Sequence, residues 1–356
     1  MAQYTSTYPL SQRDQYMPNE NVDFVLNFAN KTILANSIMV TGRLVVYSGG
    51  NPSNPVYVEP ADEVYYDGHV GAHGVFQTWT SSMSDRVIET FNHYPRYIKM
   101  RTTAQFTSED LSCLSTEAPQ LKCFDQQQPE TAGEDTTCLT STSVLVLPNN
   151  TTGGRAFAIK PDVCLNSAPA IPSSVSGEVK LSVQLSSQSQ FLYGPDAANY
   201  SFYLTDLELC YKTVPDNKQI KAIPYVYKQS LKQIISSNNQ ALNFNTPIPT
   251  TALFSSFILT ASENDVTMDY LNMDPLEGLT RVDWSINDMN QGNSMDVKQC
   301  IEPQALSAVN KIRGVGLNYL EVLANTKVSM NILSDASNQT QYACYIYFLG
   351  QSGFSA

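Results

Sequence analysis

Alternation with a period of two is the feature that most restricts what this chain can fold into. Val22, Phe24, Leu26 and Phe28 are separated by Asp23, Val25 and Asn27. Val179, Leu181, Val183 and Leu185 are separated by Lys180, Ser182 and Gln184. Ile38, Val40, Leu44 and Val46 follow a similar rhythm, and in the second half Val282, Trp284 and Ile286 stand between Asp283, Ser285 and Asn287. In a strand, successive side chains point to opposite faces, so each run places its apolar residues on one side of a sheet. The chain therefore reads as all-β, with sheets packed face to face.

Further strand-like runs at 86–91, 97–103, 143–147, 156–165 and 203–211 complete a first set, with a break at Tyr94-Pro95. That set is large enough for two packed four-stranded sheets. A Pro-punctuated stretch at Val214-Pro215-Asp216-Asn217 interrupts the pattern, and 225–236 fits either a strand or a helix and is the candidate connector. A second set runs through Leu242 and Phe244, 253–260, 282–286, 315–322, 328–333 and 342–349. The clearest helix signal is at 303–311, with Glu302 and Pro303 at its start and Ala305, Leu306 and Val309 on one face. The expected layout is an N-terminal arm over 1–20, a first sandwich over 21–217 and a second over 218–356. At 356 residues the chain has room for two such domains. The arm carries Pro9 and Pro18, shows no periodicity, and is expected to order by docking on a neighbour.

Charge narrows the possible partners. Lys and Arg number 21 against 33 Asp and Glu, a net charge of −12. Gripping a phosphate backbone needs clustered cations, so direct nucleic-acid binding is not expected. The first twenty residues lack a basic segment followed by an apolar one, and no run reaches the ~18–20 apolar residues of a membrane span. Synthesis in the cytosol is the expectation.

The candidate chemical sites each have a plainer explanation. Asp67, His69 and His73 are chemically suitable metal ligands, but Gly68, Gly71 and Gly74 favour a turn-rich loop over the helix that would converge them. Gly314-Val315-Gly316 is a fragment of a phosphate-binding fingerprint without its third glycine, and reads as strand. Leu349-Gly350-Gln351-Ser352-Gly353 fails the spacing of a nucleophile elbow. The seven cysteines show no C-x-x-C spacing; Cys113, Cys123 and Cys138 share a polar loop over 104–140, and Cys210 and Cys344 fall inside strands. Asn30, Asn149, Asn150, Asn199 and Asn338 lie in or beside sequon-like runs, which an Asn/Thr-rich chain produces by chance. No catalytic constellation emerges, and no cofactor or metal site is assigned.

Two longer runs carry a resemblance. One is Tyr66-Asp67-Gly68-His69-Val70-Gly71-Ala72-His73-Gly74-Val75-Phe76, continuing to Phe91-Asn92-His93-Tyr94-Pro95-Arg96-Tyr97. The other is Phe157-Ala158-Ile159-Lys160-Pro161-Asp162-Val163-Cys164-Leu165-Asn166, followed by Leu192-Tyr193-Gly194 and Tyr203-Leu204-Thr205-Asp206-Leu207. With the two-sandwich layout, the chain resembles major capsid proteins of the double jelly-roll lineage, shared by adenoviruses and tailless internal-membrane bacteriophages. The resemblance spans the whole chain in architecture and residues 20–212 in recognisable segments, which are strand and turn signatures.

It implies two jelly rolls side by side and a homotrimer with a pseudo-hexagonal footprint in an icosahedral shell. The implied partners are further copies of the chain, neighbouring capsomers, minor capsid or penton proteins, and an internal membrane or its proteins. The implied location is the virion, and the implied role is structural and not enzymatic. Two other readings compete. A spike or lectin-like adhesin would use Tyr57, Tyr65 and Tyr66 as a sugar platform. A glycoside hydrolase would need two carboxylates facing across a cleft.

Overall fold

The two cleanest alternating runs pair with each other. Asn21–Leu26 lies antiparallel to Val179–Leu185, with Val22 opposite Val183, Phe24 opposite Leu181 and Leu26 opposite Val179. All six side chains are buried, as are Phe28 and Leu185. This register is forced: a slip of one residue would turn every apolar side chain to the other face.

The computed structural model describes residues 2–48, 52, 55–58, 61–68, 70–105, 143–145, 154–216, 219–274, 276, 279–290, 295–296, 314–317, 322–334 and 340–355. Contacts divide the chain into two units. The first comprises Met1–Tyr227 with Val266–Leu271 and Ser352–Ala356; the second comprises Lys228–Asp265 and Asn272–Gln351. The boundary thus falls ten residues after Asn217, inside Ala222–Ile235, which is one continuous strand and not a helix.

In the first unit one sheet orders Asn21–Leu26, Val179–Leu185, Phe76–Met83 and Arg86–Phe91. The other runs Arg155–Ile159, Met39–Ser48, Tyr200–Pro215, Lys31–Leu34 and Ala170–Pro172. Phe76 of the first sheet meets Phe157 of the second edge-on, with ring centroids 5.9 Å apart. Aromatic contact of this kind closes a sandwich core.

One sheet orders Ala222–Ile235, Tyr342–Ser355, Ala252–Leu259 and Gly314–Leu317, with most of the first two strands and all of the others in the second unit. The facing sheet orders Asn239–Asn245, Lys327–Ser334, Leu279–Ile286 and Met289–Asn290. Phe244 and Phe348 meet across them at 5.6 Å. Val282 and Trp284 are fully buried, and Ile286 is nearly so. The expected helix at 303–311 lies outside the described residues, as does nearly all of the expected loop at 104–140 with Cys113, Cys123 and Cys138.

Three sequence expectations need correction. The run 97–103 is not a strand: Tyr94–Gln105 forms an α-helix. Pro95 sits in its first turn, where a fixed φ and a missing N–H cost nothing, so the apparent break is a start. The run 156–165 divides, with a strand ending at Ile159 and a helical turn at Cys164–Ser167.

The arm is also not free. Gln3–Thr7 pairs antiparallel with Tyr200–Pro215, from Gln3 opposite Thr213 to Thr7 opposite Leu209. Tyr16 bridges Leu204 farther along the same strand and is 4 % exposed. Leu10 N–H donates to the Asp23 carbonyl at 2.8 Å, so the segment ties both sheets together. An unpaired strand edge invites association with other chains, and this segment covers one.

Deleting residues 2–16 should therefore destabilise the first unit by at least about 3 kcal/mol, the usual cost of losing one buried aromatic ring. It should also promote aggregation through the uncovered edge. Chemical denaturation with light scattering checks this, and a truncated protein as stable and soluble as the intact one would restore the expectation of an arm that orders only by docking on a neighbour.

Phe76–Met83 was missed as a strand, and the reason is local. Its inward face mixes Trp79 and Met83 with Ser81, which is fully buried, so apolar alternation is broken. The hairpin after it turns on Ser84 and Asp85, at φ 45° and 61°, without the Asn-Gly or Asp-Gly pair that usually marks such a turn. Tertiary contacts replace that signal. Ser84 Oγ donates to the Ser176 carbonyl at 2.8 Å, and Lys180 reaches Asp85 at 3.0 Å. Gly177, at φ +60°, leaves the space, since a Cβ there would come 2.3 Å from Ser84 Oγ.

Candidate functional site

The run 66–76 folds as the end of the strand Tyr65–Asp67, a bend, and a 3-10 turn over Gly71–Val75 that feeds Phe76–Met83. Gly74 is required for packing, because a Cβ there would stand 2.9 Å from the Phe191 ring. The helix Tyr94–Gln105 follows His93, which turns the chain at φ 53°. Tyr94, Tyr97 and Ile98 are buried on this helix, and so are Arg96 and Lys99.

Charges inside a sandwich must be compensated. Lys99 Nζ forms an ion pair with Asp67 Oδ2 and donates, at 2.8 Å, to Asp269 Oδ2. The three side chains are 4 %, 1 % and 11 % exposed. Leu271 N–H donates to Asp269 Oδ1 at 2.9 Å. The Arg96 guanidinium donates to the Tyr270 carbonyl and lies 5.2 Å from the Tyr270 ring centroid. Gly194 N–H completes the set by donating to the Val266 carbonyl at 3.2 Å. These bonds seat Val266–Leu271 on the first unit, although the chain on either side of that segment belongs to the second.

The two carboxylates are not equivalent. Burial pushes Asp67 up to about 7, and the nearby Asp269 charge adds to this against the pull of Lys99. Burial also opposes ionisation of Asp269, but the Lys99 ammonium and hydrogen bonds from Asp67, Lys99 and Leu271 more than offset it and hold Asp269 below its usual range. Lys99 is raised despite burial, because both carboxylates favour its ammonium form. Around neutrality the cluster tends toward one ammonium, one carboxylate and one carboxylic acid. Such a group holds structure and can bind or release a proton.

The residues singled out from sequence go to separate places. Asp67 pairs with Lys99, while His73 Nδ1 lies 2.6 Å from the Tyr94 hydroxyl; His69 is outside the described residues. Among the described residues no group of three or more His, Cys, Asp or Glu is placed to hold a metal ion. Tyr66 is buried against Phe191 at 6.0 Å, and Tyr65 packs beside Tyr193 at 6.0 Å. Tyr57 leans on the Tyr47–Tyr203 cluster, so the three tyrosines form no platform. Cys344 is buried in a strand, and Cys210 is half-buried in another. Gly314-Val315-Gly316 lies in the strand Gly314–Leu317, and Leu349–Gly353 lies within Tyr342–Ser355.

Sequence reasoning missed Arg96, Lys99 and Asp269. The spacing of three between Arg96 and Lys99 in an aromatic-rich stretch was the one available hint, since such residues share a helix face. Asp269 gave no signal. An open groove of about 610 Å³ between the N-terminal segment and Thr205–Leu207 presents Arg13 beside Asp14 and Asp206, with no convergent chemistry. Among the described residues no helix is long and apolar enough to cross a membrane.

No family model matches the chain, and no curated relative does. Solved structures do match. The Faustovirus major capsid protein superposes with a TM-score of 0.66 at 9% identity, covering 100% of this chain and 90% of that one. A quasi-atomic model of the PBCV-1 virus capsid gives 0.57 at 13% identity, covering 100% and 95%. The Sputnik virophage structure gives 0.54 at 10% identity, covering 99% and 86%. At these identities the likeness establishes the fold, which is the double jelly roll of capsid proteins.

Proposed function

We propose that this chain is a major capsid protein, a structural subunit that assembles with copies of itself into the shell of an icosahedral virus. The observation that carries this reading is the end-to-end match of both units to the Faustovirus major capsid protein, 100% of this chain on 90% of that one. A fold shared over one domain says little about role, because sandwiches host many activities. Two sandwiches in tandem, matched in order and nearly in length, are a narrower constraint.

Chemistry points the same way. The cluster of Asp67, Lys99 and Asp269 in the first unit is almost wholly enclosed by protein. Its opposite charges are paired with each other, as in a group serving structure. An acidic chain, with 33 acids against 21 bases, suits a shell that does not itself grip the genome.

The capsomer is proposed to be a homotrimer, in which six sandwiches make a pseudo-hexagonal tile located in the virion. Sedimentation or light scattering of the purified protein should give a mass near three times the 39.4 kDa chain. Electron micrographs should show hexagonal outlines, and concentrated protein should form sheets or shells. A stable monomer that stays dispersed at high concentration would sink the shell reading.

A further inference from the structure

We infer that Asp67, Lys99 and Asp269 form a latch that shares one proton between its two carboxylates, seating Val266–Leu271 on the first unit more firmly in mildly acidic than in alkaline solution. The argument rests first on geometry. Two carboxylates converge on a single ammonium in a site where each side chain is at least about nine-tenths enclosed. Three full charges there would leave a net −1 with little access to water, which is costly. One added proton makes the cluster neutral overall, and the resulting carboxylic acid can donate to the carboxylate beside it.

The cations on the described elements beside Asp67 are already engaged. The turn Gly71–Val75 carries His73, engaged with Tyr94. The helix Tyr94–Gln105 carries Arg96, engaged with the Tyr270 carbonyl; Lys99, already in the cluster; and Arg101, paired with Asp162 at 2.5 Å. The strand Ser143–Leu145, which pairs with Tyr65–Asp67, carries no titratable residue. Val266–Leu271 carries Asp269 and Tyr270. The proton therefore belongs between Asp67 and Asp269, and the balance of burial and charge places it on Asp67, whose carboxyl is raised from 3.8 to about 7.

The sign follows from linkage. A carboxyl that titrates higher in the folded protein than in the unfolded chain binds more protons when folded, so stability rises as pH falls between the two values. Asp67 thus contributes increasing stability as pH falls from about 7 toward 3.8. Asp269, held low, has the opposite sense: its contribution is present above 3.8 and is lost as pH falls further. The latch should be tightest in mild acid and loosen on either side.

The test compares the intact protein with Asp67→Asn, whose amide reproduces the donor of the protonated acid but does not titrate. The unfolding midpoint of the first unit should rise from about pH 8 to about pH 5 in the wild type, with a slope approaching one proton per chain. In Asp67→Asn that slope should vanish. Equal slopes in the two proteins, or a wild-type midpoint that falls over this range, would overturn the inference. Should the variant fail to fold, infrared spectroscopy of the wild type decides the matter. A buried protonated-carboxyl band that titrates near neutrality is expected, and its absence at about pH 5 overturns the latch. Hydrogen exchange corrected for intrinsic rates should show amides of 269–271 better protected at the lower pH, and unchanged protection counts against it. None of these readouts depends on the shell reading.

Discussion

Lys99→Met should lower the stability of the first unit by about 3–5 kcal/mol, the range seen when one member of a buried ionic group is removed. The substitution preserves length and most of the apolar stem, so little of the loss comes from packing. What remains is two buried carboxyls without their cation. One can escape by protonation, but Asp269 loses the charge that holds it ionised and must either take a proton or stay buried and unpaired.

The triple replacement Asp67→Leu, Lys99→Met and Asp269→Leu should recover most of the loss, because exchanging a whole buried ionic group for apolar side chains is often near neutral. Denaturant unfolding followed by a first-unit probe measures both. The two units need not unfold together, so a single whole-chain midpoint would not be decisive. A Lys99→Met variant within about 1 kcal/mol of wild type would show that the cluster is already solvated.

Trp79→Ala is the second large expected effect, at about 3–5 kcal/mol. Trp79 stands opposite Val183 in the sheet ladder, 5.2 Å from the Phe76 ring and 5.9 Å from Tyr94. Its removal opens a cavity between the sandwich core and the helix that carries Lys99, and the strands around it cannot close in. Trp79→Phe should cost less than half as much. The indole N–H is buried without a hydrogen-bond partner among the described residues, so replacing it removes a desolvated donor along with some contact area. Urea unfolding of the two variants supplies the comparison, and an alanine variant costing under about 1 kcal/mol would mean that the ring is not packed as it stands here.

Much of the fold was legible from period-two runs because those strands bury one face and leave the other to polar residues. Val22–Phe28 and Val179–Leu185 are such strands, and they turn out to be direct neighbours. Legibility failed where burial was not apolar. Phe76–Met83 buries Ser81, and Tyr94–Gln105 buries Arg96 and Lys99, so each hides its inward face from a hydrophobicity pattern. Tyr342–Ser355 shows the converse, with its first seven residues buried whichever way they point.

The resemblance to double jelly-roll capsid proteins was visible in the run from Tyr66 to Tyr97, yet structural matches at 9–13% identity show how little sequence the fold demands. Sandwich cores tolerate exchange among apolar residues of suitable volume, so patterning persists after identity is lost.

By itself, then, the sequence determined the secondary-structure class, the presence of two sandwiches and the alternating part of each core, because these depend on local periodicity and on turn residues. The tertiary structure alone decided what residues 2–16 do, since pairing with Tyr200–Pro215 depends on an edge that exists only once the sheet has formed. It alone brought Asp269 to Lys99 across 170 positions of chain, two groups with no local signal of each other. A period reports which face of an element avoids water. It cannot report which buried charge another charge will find, because that is set by where separate elements come to rest.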